Sequence, residues 1–86
     1  MNEYLVSFAT TAKKELTDLR ADAIVRLLPK IRELAKNSRP PGCKKLQGYK
    51  DRWRIRVGTY RIVYGVNDAE RNVDITRIAD RKDAYR

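Results

Sequence analysis

The sequence predicts a single α+β domain of order β-α-α-β-β-β, with two N-terminal helices packed on one face of a small antiparallel sheet. Three observations predict it. Side chains alternate in polarity over residues 3–8 and again over residues 52–79. Apolar residues at helical spacing fill the interval between, and turn dipeptides divide the later alternating stretch. At 86 residues there is room for one domain, 1–86, burying roughly 60–65% of the surface its unfolded chain exposes.

In residues 3–8, Tyr4, Val6 and Phe8 fall on one side and Leu5 and Ser7 on the other, as in a strand. Thr10 or Thr11 can cap a first helix, where Ala12, Leu16 and Leu19 recur at helical spacing. Asp22 can cap a second, with an apolar stripe of Ile24, Leu27, Leu28, Ile31, Leu34 and Ala35. Pro29 falls inside that stripe. It lacks a backbone donor and crowds the Val25 carbonyl, which predicts a kink or a break. Residues 37–51 read as a loop, opened by Asn37-Ser38-Arg39-Pro40-Pro41-Gly42.

Three strands follow, at residues 52–57, 60–66 and 72–79. Gly58-Thr59 suits a II′ hairpin turn between the first two, and Asn67-Asp68 turns the chain into the last. Period 2 puts Trp53, Ile55 and Val57 on the core face and Arg52, Arg54 and Arg56 on the other. With helices over one face, the open face or its rim is left for Arg54, Arg56 and Arg61. Tyr60 and Tyr64, alternating with Arg61 and Val63, read as core or sheet residues, and Trp53 as core.

Charge narrows the function. Twenty Lys+Arg against eleven Asp+Glu leave +9 on a small body, a field that draws polyanions across a Debye length of about 8–10 Å. Nucleic acid is the first partner this implies; an anionic membrane surface and an acidic protein come after it. No apolar run approaches the ~20 residues of a membrane span, and Met1-Asn2-Glu3-Tyr4 does not begin a signal peptide. One cysteine, Cys43, precludes an internal disulfide and suits a reducing cytoplasm; without a histidine partner it reads as a bystander thiol. The chain has no histidine, no glycine-rich phosphate loop and no clustered carboxylates, so neither a histidine-based triad, a metal nor a cofactor is expected.

What remains is cationic. Arg54 and Arg56 stand two apart on one strand, Arg61 follows across a hairpin, and Arg77, Arg81, Lys82 and Arg86 come from the last strand and tail. Arginine forks match phosphate oxygens. Were such a surface to cleave RNA by 2′-hydroxyl attack, arginine, protonated to about pH 12, would stabilise charge rather than move protons. Tyr85, Lys44 and Lys45 are then the candidate proton-transfer groups, since a positive field lowers tyrosine and lysine pKa values.

Three stretches resemble the RelE branch of the RelE/ParE toxin superfamily. They are Arg39-Pro40-Pro41-Gly42-Cys43-Lys44-Lys45-Leu46, Trp53-Arg54-Ile55-Arg56-Val57-Gly58-Thr59-Tyr60-Arg61-Ile62-Val63-Tyr64, and Asp80-Arg81-Lys82-Asp83-Ala84-Tyr85-Arg86. The resemblance implies a toxin of a type II toxin–antitoxin pair: an mRNA interferase that binds the ribosomal A site and cleaves mRNA without a metal. It further implies silencing by a cognate antitoxin in a higher-order hetero-oligomer. Carried over by position, Arg54, Arg56, Arg61, Arg81 and Tyr85 form the catalytic set. Arg61 would hold the scissile phosphate, Arg81 the transition state or leaving oxygen, and Tyr85 the 2′-hydroxyl. Lys44, Lys45, Arg52, Arg77 and Lys82 are the expected RNA-binding residues around it. Some family members carry lysines where this chain has Arg54 and Arg56, which shifts proton abstraction here toward Tyr85 or Lys44 and Lys45. The alternatives on the same fold are a ParE-like toxin that blocks DNA gyrase and cleaves nothing, and a non-catalytic RNA-binding relative.

Overall fold

The computed structural model describes residues 3–80. The first alternating stretch becomes β1 (Leu5–Phe8), with Val6 and Phe8 against the core and Leu5 in solvent. Two helices follow, α1 (Thr10–Thr17) and α2 (Ala21–Lys36). Neither Thr10, Thr11 nor Asp22 caps them. Ala9 and Arg20 hold the capping positions in extended backbone, without a side-chain hydrogen bond. Asp22 instead sits in the first turn of α2, where a carboxylate suits the positive end of the helix dipole, and lies 3.4 Å from Arg20.

Of the kink or break expected at Pro29, the break does not occur, and α2 runs through it. Pro29 and Val25 both lie on the solvent side, where the carbonyl deprived of its donor can bond to water. The buried stripe of α2 is Ala23, Leu27, Ile31 and Leu34, with Ile24, Leu28 and Ala35 half-buried beside it.

Among the described residues the sheet has five strands where the sequence reading expected four. β2 (Lys44–Lys45), β3 (Arg52–Val57), β4 (Tyr60–Asn67) and β5 (Asn72–Asp80) join β1 in the order β1-β5-β4-β3-β2. β2 lies inside the stretch read as loop. Two residues have no period of their own, and only the pairing of Lys44 with Arg54 and Lys45 with Trp53 makes them a strand. All pairings are antiparallel except β1 with β5, which is parallel. A hairpin forces antiparallel pairing, whereas β1 leaves through two helices and meets β5 only at the far end of the chain.

The β3–β4 turn is as expected. Gly58 has φ of +61° and, among the described residues, Arg71 is the single non-glycine with positive φ, so Thr59 completes the type II′ pattern. β5 departs from strict alternation: Val73 and Ile75 point into the core, and so does Ile78. A bulge resolves the parity. Val63 pairs with Arg77 and Tyr64 with Ile75, leaving Thr76 as the extra residue, its hydroxyl donating to the Val63 carbonyl at 3.1 Å.

The core lies between helices and sheet, built from Ala12, Leu27, Ile31 and Leu34 above and Ile55, Ile62, Tyr64, Val66, Val73, Ile75 and Ile78 below. Tyr64 is fully buried and donates its hydroxyl to the Ser38 carbonyl at 2.7 Å, tying the end of α2 to β4. Burial, and then the neighbouring Cys43, push its phenol well above the ordinary range, with Arg39 acting weakly the other way. A phenol that holds its proton more tightly when folded stabilises the fold fully below the unfolded pKa of about 10, and that contribution is lost as pH rises beyond it. Alkaline titration should therefore show one phenolate appearing together with loss of the helical circular-dichroism signal, and Tyr64→Phe should abolish that coupling. If all phenolates ionised with the helical signal intact, the assignment would fail. Among the described residues no helix is long and apolar enough to cross a membrane.

Candidate nucleic-acid interface

Residues directly opposite in an antiparallel pair project to the same face. Ile55 faces Ile62 and Trp53 faces Tyr64 on the helix side, so the intervening residues project from the other side. There, Arg56 stands directly opposite Arg61, and Lys44 directly opposite Arg54. Like charges so placed destabilise a sheet by a few tenths of a kcal/mol to ~1 kcal/mol each. The row of Arg56 and Arg61 ends on β5 at Ala79, too small to cover the guanidinium beside it. A cleft of about 370 Å³ adjoins the two rows, lined by Pro41, Gly42, Lys44, Arg54, Ile55 and Arg56. Two like-charge rows side by side on a face without helices can hold successive phosphates of one strand.

The structure separates residues that the sequence grouped. Arg54 is on the expected face but is buried, at 8% exposure, so it is not a solvated contact residue like Arg56. It sits mid-sheet between β2 and β4, whereas Arg56 lies beyond the end of β2. Among the described residues no buried side-chain nitrogen or oxygen lacks a hydrogen-bond partner. Lys44 joins the arginine rows, but Lys45 projects to the opposite face, its ammonium 5.8 Å from the Trp53 ring. Arg52 keeps to the arginine face and stacks on Tyr49, 5.3 Å from the ring centre.

Arg77 is held by α1. Its Nε lies 2.9 Å from Glu15, whose other carboxylate oxygen accepts the Ile78 backbone N–H at 2.8 Å. β1 pairs with β5 only as far as Ile75, and Glu15 covers part of the edge left open beyond it. Arg81, Lys82 and Tyr85 lie outside the described residues, as does Arg86; β5 ends at Asp80, opposite Tyr60.

On the helix side of the sheet, Arg39 lies 4.5 Å above Trp53 and pairs with Asp68 at 2.8 Å, while Tyr4 donates to the same carboxylate at 2.6 Å. Arg39, and then Tyr4, hold the Asp68 carboxyl below its usual range. This cluster pins the loop after α2 to the β4–β5 turn. The sequence reading missed Tyr49, Glu15 and Asp68. An aromatic among basic residues was a visible signal for Tyr49; a carboxylate on an outward helix face carried none for Glu15.

The family model for the ParE toxin of the type II toxin–antitoxin system, parDE, matches residues 6–85. No curated protein matches the chain. Among solved structures, the RelBE2 toxin–antitoxin complex of Mycobacterium tuberculosis is similar at a TM-score of 0.83 and 28% identity, over 94% of each chain. The RelB–RelE antitoxin–toxin complex of Methanococcus jannaschii aligns at 0.72 and 32% identity, over 92% of this chain and 94% of that one. The isolated RelE toxin of E. coli aligns at 0.80 and 28% identity, over 90% of this chain and 83% of that one. The match along almost the whole chain, on two helices packed against a mostly antiparallel sheet, makes this protein a member of the RelE/ParE family of type II toxins.

Proposed function

We propose that this toxin is a ribosome-dependent mRNA endonuclease, an mRNA interferase that stops translation in the cytoplasm and is held silent by a cognate antitoxin. The observation that supports it most is the adjacency of the Lys44/Arg54 and Arg56/Arg61 pairs on the face opposite the helices. The repulsion between Arg56 and Arg61 is relieved by an anion lying between them, and phosphodiester is the anion of the ribosomal A site.

In this reading the reaction proceeds by attack of the 2′-hydroxyl on the adjacent phosphorus, forming the 2′-O–P bond as the P–O5′ bond breaks. One group takes the 2′-hydroxyl proton and another delivers a proton to the 5′-oxygen. Arg61 holds the scissile phosphate, Arg56 stabilises the growing negative charge, and buried Arg54 adds to the local positive potential. Arg81 acts on the transition state or leaving oxygen and Tyr85 on the 2′-hydroxyl, both carried from the family pattern. Among the described residues no three or more acidic or cysteine side chains gather where they could hold a metal ion. The antitoxins in the solved RelBE complexes are the model for a cognate partner here, in a hetero-oligomeric complex.

The matching family model is named for ParE, which favours a second reading as a gyrase inhibitor. A cell-free translation system and a supercoiling assay separate the two. Added toxin should arrest translation and leave mRNA cut within the A-site codon, with supercoiling unaffected. Inhibited gyrase with intact mRNA would overturn the endonuclease reading.

A further inference from the structure

We propose that Tyr49, carried on Arg52, is a stacking platform for one nucleobase of the bound RNA strand, an inference that rests on the RNA-cleaving reading above. Tyr49 lies in the link between β2 and β3 and is 56% exposed, among the most exposed large hydrophobic side chains of the described residues. It is not a loose loop residue. The link is anchored on both sides, by the Leu46 N–H on the Arg52 carbonyl at 2.9 Å and the Val66 N–H on the Asp51 carbonyl at 3.0 Å.

The arginine beneath it is also placed. Arg52 stands opposite Gly65 on β4, on the face that carries Arg56 and Arg61. A Cβ at Gly65 would meet Arg52 Cδ at 3.7 Å and Nε at 3.6 Å, so the side chain lies low across a strand position that has no side chain of its own. That brings the guanidinium to 5.3 Å from the Tyr49 ring centre. Exposed tyrosine, guanidinium and bare glycine together make a flat patch one row along from the Lys44/Arg54 pair. Rows on one face are spaced by two residues, about 7 Å, comparable to the step between phosphates of an extended single strand. A strand with its phosphates on the two cationic rows therefore brings a base over Tyr49. Every base offers a π-face, so the platform tolerates sequence and contributes affinity and register.

The test uses full-length toxin on ribosomes programmed with mRNAs that carry a single abasic nucleotide, moved in turn through and beside the A-site codon. Tyr49→Ala should raise KM about five- to a hundredfold on intact mRNA with kcat little changed, as loss of one stacked base implies. For one abasic position, wild type and Tyr49→Ala should become equal. Tyr49→Trp should restore the wild-type KM, whereas a tyrosine that merely braced Arg52 would be needed equally for intact and abasic mRNA. Equal KM for wild type and Tyr49→Ala on intact mRNA, or an unchanged ratio at every abasic position, overturns the platform alone. Wild-type toxin that neither binds nor cuts programmed mRNA overturns the endonuclease reading, and the platform with it.

Discussion

Arg61→Ala should lower the rate of the proposed A-site mRNA cleavage by about a hundred- to a thousandfold, the usual cost of removing one pre-placed donor to a developing oxyanion. Arg61 is half-buried on β4, beside Ala79 and facing Arg56, and forms no ion pair among the described residues. The same substitution should leave thermal stability unchanged or slightly raised, because it relieves the like-charge contact with Arg56. Tyr85→Phe should slow cleavage as well, by removing the hydroxyl proposed, from the family pattern, to act at the 2′-oxygen. Single-turnover cleavage on programmed ribosomes measures both. Two variants that cut at the wild-type rate would show the site to be elsewhere; a large stability loss in Arg61→Ala would show Arg61 to be structural.

Leu27→Ala should cost about 2–5 kcal/mol, the range for truncating a buried leucine. Leu27 is fully buried at the middle of the α2 stripe, in the cluster that joins the helices to Ile62, Tyr64 and Ile75. At roughly 0.05–0.15 kcal/mol per residue, a domain of this size holds on the order of 4–13 kcal/mol in total. One cavity can therefore remove half of it, and thermal melting should shift downward by ~10 °C or more. Val25→Ala is the control. Val25 is 70% exposed on the same helix, so its loss should fall within about 0.5 kcal/mol of zero. Equal melting temperatures for the two variants would contradict the packing described for α2.

The sheet and helices were legible because their signals are local. Alternation located β3, β4 and most of β5, and helical spacing located both helices within a few residues of their observed limits. Reading failed where tertiary contacts outweigh local preference. Threonine and aspartate at the helix starts suggested caps, yet the chain enters both helices without them. Pro29 suggested a break, yet packing of Leu27, Ile31 and Leu34 keeps α2 whole. Alternation also implied equal exposure for Arg54 and Arg56, but strand order puts one mid-sheet and the other beyond the end of β2.

The sequence by itself determined the order of the helices and the four longer strands, the strongly cationic character, the face on which Arg52, Arg54, Arg56 and Arg61 project, and the family resemblance. Periodicity and charge are properties of neighbours along the chain, and they survive without knowledge of the fold. The two-residue Gly58-Thr59 turn sets Arg56 opposite Arg61, but only the tertiary structure decided that Lys44 and Lys45 pair with β3 and part to opposite faces. It also decided that Arg77 turns to Glu15 and that Arg52 reaches Tyr49 across a bare Gly65. Those relations depend on strand register and on which edge meets which helix. Register is selected by the burial of distant apolar residues, which no local pattern around the cations encodes.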